Sequence, residues 1–431
     1  MLIQIIQILA LVVFASVMQK NFKIPSPITI MSIVMTGLLF NITLFDINSK
    51  EFDNLVLITL PLLIATDALK IKWEDVRNHG LSLFWVAVVS VLFFIGVGVV
   101  INDYVLIDYP LSLAAVVILF CMVAATDPIT VSAVFSNFKV PHKLKLLTEG
   151  ESLFNDATAL IVFAIALVAL KSPEKVTLSF IAIKSFSVIF GAIGIGLFIG
   201  FLTVWSLKVS DEAFVESTII ILASYLAYWS AEHFHFSGIL AVIVTILIAN
   251  QAIQKIINKD NAQVEEADKT KNFGLLKHAI TSKDNHETIM KSVDFLSMFA
   301  STVLFASIAA IVDFDKLWHY KYEILAVFVA STLIRGITMF KFALVSNKVN
   351  QMQSIKKHWW AVLTFAGSKG ALSILMVHMI PNSFKYKNLF ENIIVGNIIL
   401  STFVYAIILG IIFVRNKDKF NKECEEDLVS N

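Results

Sequence analysis

The feature that most constrains this chain is a series of apolar blocks separated by short polar connections. Each block is about twenty residues long, which is the length of helix that crosses the hydrocarbon core of a bilayer. The composition agrees, since 57% of the 431 residues are hydrophobic, 16% are charged and the mean hydropathy is +0.79. The sequence therefore predicts an all-α polytopic membrane protein and excludes a single water-soluble globule.

The apolar blocks predict thirteen membrane spans. They cover residues 1–19, 27–47, 54–69, 80–101, 110–135, 150–170, 178–207, 214–232, 236–252, 289–312, 322–340, 358–380 and 389–414. We expect residues 1–414 to form one transmembrane domain, with a polar cytoplasmic loop over 253–288 and a polar cytoplasmic tail over 415–431. Both polar stretches are expected to be solvated, because they contain too few apolar residues to build a core.

The Lys and Arg residues outside the spans predict the orientation. The segments that follow odd-numbered spans contain 23 of the 34 Lys and Arg residues, and those that follow even-numbered spans contain 7. Cytoplasmic connections carry the excess of positive charge in membrane proteins. We therefore expect the N-terminus outside and the C-terminus in the cytoplasm.

Charge and cysteine content exclude several classes of partner. A formal net charge of +1 provides no basic field for a nucleic acid. Cys121 lies in an apolar block and Cys424 in the polar tail, so they indicate no disulfide framework. An enzyme within the membrane would need a nucleophile with a base, or metal ligands, and the histidine partners for such a site are missing. We predict neither an enzyme nor a cofactor.

Charged residues inside the spans are the first candidates for function, because each costs at least about 2.5–3.5 kcal/mol at a helix centre. In span 5, Asp127 precedes Pro128, which removes a backbone donor and frees the carbonyl of Ala124. A broken helix is the expected result, and its free carbonyls and half-helix ends can coordinate a cation at membrane depth. The alternative is a simple proline kink with Asp127 in a packed polar contact.

Span 6 begins with a second polar cluster. Ser152, Asn155 and Asp156 share one helix face, so a hydroxyl, an amide and a carboxylate lie together. Hard cations take oxygen ligands, and one carboxylate supplies the charge for one monovalent ion or one proton. A structural ion pair is the alternative for Asp156. Thr148 with Glu151 matches a capping box, which would leave Glu151 no transport role.

Spans 11 and 12 contribute the buried cations. Lys369 lies between two glycines in span 12, which predicts a second broken helix. Spans 5 and 12 differ by an odd number, so they would have opposite orientations, as in the inverted repeats of many secondary transporters. We expect Lys369 to offset the half-helix dipoles, and Arg335 in span 11 to pair with Glu151 or, as second choice, Asp127.

These motifs together resemble a known family. The run Ala125–Pro128, followed by Glu149–Thr158, closely resembles the core of the electroneutral sodium–proton antiporters, the bacterial NhaP and animal NHE branch of the cation:proton antiporter superfamily. The resemblance extends to Arg335 and to Gly367–Ala371, and the count of thirteen spans agrees. It covers nearly the whole membrane portion but not the loop 253–288.

The resemblance implies a homodimeric antiporter with a dimerisation part and a mobile core part, in which two broken helices cross near the ion site. By matching motif, Asp156 would bind a sodium ion or a proton, with Ser152 and Thr126 as further ligands. Asn155 would mark the electroneutral branch, where electrogenic relatives have a second aspartate. Asp127 would stabilise the crossing.

The resemblance also implies that Glu151 pairs with Arg335, and two of the departures from the family pattern concern candidate residues. The family commonly has arginine where Lys369 stands, and a buried lysine can lose its proton whereas arginine cannot. In span 3 the family often has a glutamate, where this chain has the shorter Asp67. Asp67 is a candidate member of the ion path.

A carboxylate that holds either a proton or a sodium ion, and crosses the membrane only when loaded, exchanges the two ions one for one. We therefore predict electroneutral exchange of Na⁺, and also Li⁺, against H⁺ by alternating access, with the two ions competing for Asp156. The expected partners are monovalent cations, protons and the lipid bilayer. A K⁺/H⁺ antiporter, a channel or sensor, and a transporter of organic solutes are the alternatives. Without a long regulatory tail, the family comparison favours a prokaryotic inner membrane.

Overall fold

The computed structural model of the chain is built from helices, with no strand among the residues it describes. It describes the backbone of residues 2–42, 49–172, 174, 177–209, 212–270, 273–349 and 352–430, without the side chains of residues 2, 49, 178, 256–287 and 427–430. The predicted all-α class is confirmed.

The described residues form nineteen α-helices. They are α1 (Leu2–Phe22), α2 (Ser26–Leu39), α3 (Ser49–Lys70), α4 (Trp73–Phe84), α5 (Ser90–Val105), α6 (Leu113–Ala124), α7 (Pro128–Phe135), α8 (His142–Lys171), α9 (Leu178–Leu207), α10 (Ala213–His233), α11 (Gly238–Thr270), α12 (Phe273–Ala310), α13 (Phe314–His319), α14 (Lys321–Ser346), α15 (Lys357–Phe365), α16 (Ala371–Met379), α17 (Lys387–Leu400), α18 (Ala406–Arg415) and α19 (Lys417–Ser430). Two five-residue π-helical segments, Trp85–Val89 and Ser401–Tyr405, join α4 to α5 and α17 to α18.

Helix length accounts for most of the predicted spans. Eleven helical segments of the described chain are long and apolar enough to cross a membrane. The predicted span 27–47 corresponds to the 14-residue helix α2, and the span 358–380 to α15 and α16, which have nine residues each. Each is shorter than the roughly 20 residues that a crossing needs. The count of thirteen therefore stays a prediction.

The polar segment 253–288, predicted as a loop between two spans, is helical over its described backbone. The segment continues α11 to Thr270 and begins α12 at Phe273. Polar residues such as Lys, Glu and Gln are good helix formers, so low hydropathy does not end a helix.

The chain divides into two compact units that are interleaved in sequence. The first unit comprises residues 1–57, 79–182 and 301–431, and the second comprises residues 58–78 and 183–300. The motifs of spans 5, 6, 11 and 12 all lie in the first unit. Within it, α6 is apolar throughout and contacts α5, α8 and α16. A helix that is buried on all sides can carry an irregular end at membrane depth.

The C-terminal tail is not simply solvated, contrary to the expectation for 415–431. Within α19, the side chains of Phe420 and Glu423 are buried. Glu423 accepts a hydrogen bond from the indole Nε1 of Trp359 at 2.9 Å, and its other oxygen lies 3.1 Å from Nζ of Lys356. These contacts attach α19 to the beginning of α15. The sequence did not reveal them because the helix has few apolar residues and docks through one aromatic ring and one carboxylate.

We expect Glu423→Gln to weaken the docking of α19 by about 1–3 kcal/mol, because Trp359 and Lys356 lose a charged partner while the shape is kept. Burial lowers the pKa of Lys356, but the hydrogen bonds and charges of Glu423 and Glu426 outweigh it and raise that pKa above 10.5. The pair therefore stabilises docking below pH 10.5 and loses its effect as the pH rises through the raised pKa.

Limited proteolysis of the tail at several pH values measures this docking. Glu425→Gln is the matched control, because Glu425 is exposed on the same helix. Equal cleavage rates in the two variants would contradict the role of Glu423.

Candidate functional site

The first element of the candidate site is the interruption between α6 and α7. The helix stops at Ala124, residues 125–127 are not helical, and α7 begins at Pro128. Because proline has no backbone N–H, the carbonyl of Ala124 has no donor in its own helix. That carbonyl instead accepts a hydrogen bond from Nδ2 of Asn155 on α8, at 3.0 Å. A side chain of the candidate site thus holds one end of the interrupted helix.

A second interruption meets the first. Five residues lie between the end of α15 and the beginning of α16, and the backbone N–H of Asp127 donates to the carbonyl of Ser368 in this gap, at 2.7 Å. A Cβ at Gly370 would lie against the side chain of Asp127, so only glycine allows this approach. The hydroxyl of Ser373 donates to the carbonyl of Met122 at 2.7 Å. The interrupted parts of spans 5 and 12 therefore contact each other directly.

The oxygen cluster of α8 faces the first interruption. The carboxylate of Asp156 accepts a hydrogen bond from the backbone N–H of Thr126 at 3.1 Å. The hydroxyl of Ser152 donates to the carbonyl of Thr126 at 2.6 Å and accepts from its hydroxyl at 3.2 Å. Ser152 and Thr126 are buried, whereas Asp156 is partly accessible. One reachable carboxylate with hydroxyl and carbonyl oxygens beside it matches the ligands that a hard cation prefers.

Asn155 adds an amide to this cluster and no second charge. Its Nδ2 also donates to the hydroxyl of Thr126 at 3.1 Å. Its Oδ1 is buried and has no hydrogen-bond partner among the residues that the structure describes. This oxygen is an acceptor available to a cation or to its bound water.

Arg335 on α14 pairs with Glu151 on α8. Its Nη1 and Nη2 donate to the two carboxylate oxygens at 2.8 and 2.6 Å, a bidentate geometry. Nε and Nη2 also donate to the carbonyls of Leu363 and Thr364 at the end of α15, with distances of 2.9–3.2 Å. A Cβ at Gly367 would collide with the guanidinium. Arg335 therefore connects α8 to the second interruption.

The capping box considered for Glu151 is not formed. Helix α8 begins at His142, directly after Pro141, and Thr148 lies inside it. The hydroxyl of Thr148 donates to carbonyls of the preceding turn. The helix extends past the apolar block because residues 142–147 are good helix formers. Asp156 consequently lies near the middle of a 30-residue helix.

Lys369 is buried within the second interruption. Its Nζ lies 5.7 Å from the centre of the Phe94 ring, and its backbone N–H donates to the hydroxyl of Ser401 at 2.9 Å. Ser401 begins a π-helical segment, a local widening that is frequent at functional sites. Sequence analysis missed Ser401 and Ser373, because single hydroxyl residues in apolar spans usually bond within their own helix.

Asp67 lies in the second unit, whereas the other eight candidate site residues lie in the first. Asp67 is buried, and its carboxylate lies 3.2 Å from Nζ of Lys70 one turn along α3. Nζ of Lys70 also lies 4.0 Å from the carboxylate of Asp294. The contacts thus place Asp67 in a local group of charges, and its membership of the ion path stays a prediction.

Comparison with known proteins adds a family match over most of the chain. Residues 8–415 match the family described as "Sodium/hydrogen exchanger, transmembrane". The low-affinity Na⁺/H⁺ antiporter NhaS1 of Synechocystis is 24% identical over 396 residues, with 89% of this chain and 68% of that protein covered.

Two further relatives align with this chain over only part of their own length. Sodium/hydrogen exchanger 2 of Oryctolagus cuniculus is 24% identical over 87% of this chain and 45% of its own. The Na⁺/H⁺ antiporter NhaH of Halobacillus dabanensis is 30% identical over 56% of this chain and 62% of its own. The chain therefore spans less than two thirds of the length of these two proteins.

The fold has a solved counterpart. The sodium proton antiporter MjNhaP1 of Methanocaldococcus jannaschii, at pH 8, superposes with a TM-score of 0.71 and covers 97% of this chain and 98% of its own. Sequence identity in this alignment is 17%, so the likeness concerns the fold.

Proposed function

The chain belongs to the sodium/hydrogen exchanger family of membrane transporters, and from this premise we propose that it exchanges Na⁺ for H⁺ across the membrane, one for one. The observation that carries the proposal is the position of Asp156 opposite Thr126 and Ser152, at a helix interruption within apolar spans. A charged group at this depth is costly and serves function by default.

The mechanism is competition for one carboxylate. Asp156 holds a proton in one state. After that proton leaves, the negative carboxylate and the oxygens of Ser152 and Thr126 bind Na⁺, or Li⁺, which has the same ligand preference. The site then carries the same charge with either ion. If it changes its accessible side only when loaded, exchange is obligatory and electroneutral.

The charges around Asp156 support a stoichiometry of one to one. Glu151 and Arg335 neutralise each other at hydrogen-bond distance. Lys369 and Asp127 add one formal positive and one formal negative charge, and Asn155 is neutral. Within this set of residues, Asp156 then contributes the negative charge that the transported Na⁺ or H⁺ neutralises.

We extend the proposal to assembly and location. The resemblance supports a homodimer in a prokaryotic inner membrane, and the distribution of Lys and Arg supports an N-terminus outside and a C-terminus in the cytoplasm. The connection between α7 and α8 would then be cytoplasmic, as would α19.

Proton flux in proteoliposomes tests the proposal. The lumen is made acidic, Na⁺, Li⁺ or K⁺ is added outside in turn, and a pH dye reports luminal alkalinisation. We expect alkalinisation with Na⁺ and Li⁺, at a rate that does not change when K⁺ and valinomycin hold the voltage at zero. Choline chloride is the control for ionic strength.

Three other outcomes would contradict parts of the proposal. Alkalinisation with K⁺ in place of Na⁺ indicates a K⁺/H⁺ antiporter. A rate that increases under the voltage clamp contradicts electroneutrality. Absence of proton flux with every cation would overturn the antiport proposal.

We expect Ser152→Ala to raise the KM for Na⁺ about tenfold, because the loss of one neutral ligand costs about 1.4 kcal/mol. The same proteoliposome assay over a range of Na⁺ concentrations measures this change. Ser307→Ala is the matched control, since Ser307 is buried and donates to the carbonyl of Val303 in its own helix, at 2.6 Å. An equal KM in the two variants would exclude Ser152 as a ligand.

A further inference from the structure

The mechanism above leaves one buried carboxylate of α8 without a role. Glu149 is buried and lies seven residues before Asp156, with Ser152 between them. Residues with this spacing share a helix face, and seven residues span about 10 Å along the axis. Glu149 therefore lies on the face of the ion site, between Asp156 and the α7–α8 connection.

Two contacts of Glu149 bear on its role. Its Oε1 accepts a hydrogen bond from the hydroxyl of Ser132 on α7 at 3.1 Å. The same oxygen lies 3.8 Å from Nζ of Lys145, one turn earlier on α8. The Lys145 side chain is 47% exposed, whereas that of Glu149 is 7% exposed. The carboxylate thus lies one side chain away from the aqueous face.

The pairing of Glu149 differs from that of Glu151. Arg335 holds Glu151 in a buried bidentate pair and contacts two carbonyls besides. Lys145 has a flexible stem, an exposed ammonium and a distance too long for a direct hydrogen bond. The pair is open to solvent only on the Lys145 side, and a single long contact of this kind holds a carboxylate more weakly than a bidentate pair with arginine does. Glu149 is therefore a carboxylate whose counter-charge can be replaced by a cation.

We propose that Glu149 is a first binding position for the transported cation, reached from the side of the α7–α8 connection, and that Lys145 neutralises it when no cation is bound. This inference depends on the proposed antiport. A cation that displaces Lys145 is held by Glu149 and Ser132, then moves along the same face of α8 to Ser152 and Asp156. The position raises the local cation concentration on one side of the membrane only.

Kinetics measured separately from the two sides test the proposal. We expect Glu149→Gln to raise the KM for Na⁺ on the α7–α8 side about tenfold, at the lower end of the effect of a charged cleft on counter-ions. The KM on the opposite side and the rate at saturating Na⁺ stay unchanged. Lys145→Gln should shift the KM on the α7–α8 side in the opposite direction, downward, because the competing ammonium is gone.

The two signs separate a binding role from a structural one. If the Glu149–Lys145 pair only stabilised α8, both variants would change the KM in the same direction and on both sides. The Lys145→Gln shift should also shrink in high choline chloride, because salt screens the exposed ammonium of Lys145. Glu149→Asp, which keeps the charge, should keep a KM nearer to wild type than Glu149→Gln does.

The sides are assigned with a cysteine at the exposed Lys139 of the α7–α8 connection, in a protein whose Cys424 is replaced by serine. Reaction with a membrane-impermeant thiol reagent reports which way each vesicle population faces. Asp315→Asn controls for the loss of one negative charge, since Asp315 is exposed on the short helix α13.

The outcomes distinguish this inference from the proposed function. Wild-type protein without cation-dependent proton flux would overturn the antiport proposal. Wild-type exchange with an unchanged KM in Glu149→Gln, or a KM that rises in Lys145→Gln, overturns only the role of Glu149. If Glu149→Gln does not fold, the Lys145→Gln variant alone tests the role of Glu149: a lower KM for Na⁺ on the α7–α8 side supports it, and a higher KM contradicts it.

Discussion

Replacement of Asp156 by asparagine is expected to abolish cation-dependent proton exchange while the protein stays folded. Asparagine has nearly the same shape, and its Oδ1 can still accept the hydrogen bond from the backbone N–H of Thr126. It can neither release a proton nor balance a desolvated cation, whose burial without a counter-charge costs several kcal/mol. Since about 1.4 kcal/mol corresponds to a factor of ten, we expect a loss of at least a hundredfold.

The measurement is the proton flux of wild type and variant at matched protein density, with size-exclusion profiles to verify folding. Asp315→Asn again controls for the loss of a carboxylate. Full exchange in Asp156→Asn would mean that Asp156 is structural, and the site would have to be sought around Asp127.

The site around Asp156 could be predicted to a large extent because its determinants are local. Pro128 removes a donor whatever the tertiary structure, so the carbonyl of Ala124 was expected to need another partner. Helical periodicity placed Ser152, Asn155 and Asp156 on one face. The sequence could not indicate that Asn155 would be the donor to that carbonyl, because this contact joins two helices.

The remaining features depend on contacts between distant segments. Nothing in the sequence of α19 indicates that Glu423 meets Trp359, which lies 64 residues away. Thr148 matched a cap because the motif was read at the edge of the apolar block, whereas the helix continues into polar sequence. The pairing of Asp67 with Lys70, in contrast, could have been predicted from the sequence, since residues three apart are neighbours on a helix.

Arg335→Met is expected to destabilise the first unit by about 3–5 kcal/mol, because it leaves the buried carboxylate of Glu151 without its partner. The carbonyls of Leu363 and Thr364 lose donors in the same change. Glu151→Gln should cost less, since Arg335 keeps these two carbonyls and the glutamine oxygen still accepts one hydrogen bond. Thermal unfolding in detergent, followed by loss of the monodisperse peak, measures both variants.

The double variant Arg335→Met with Glu151→Gln separates the pair from its surroundings. If uncompensated charge causes most of the loss, the double variant should be more stable than Arg335→Met alone, because a neutral amide is cheaper to bury than a carboxylate. If the double variant and Arg335→Met are equally stable, the destabilisation comes instead from the lost hydrogen bonds to the carbonyls at the end of α15. If the double variant is stable, its rate of cation–proton exchange shows whether the Glu151–Arg335 pair is needed for transport as well as for stability. A folded protein without transport would mean that Arg335 positions the second interruption, where Lys369 lies, against Asp156.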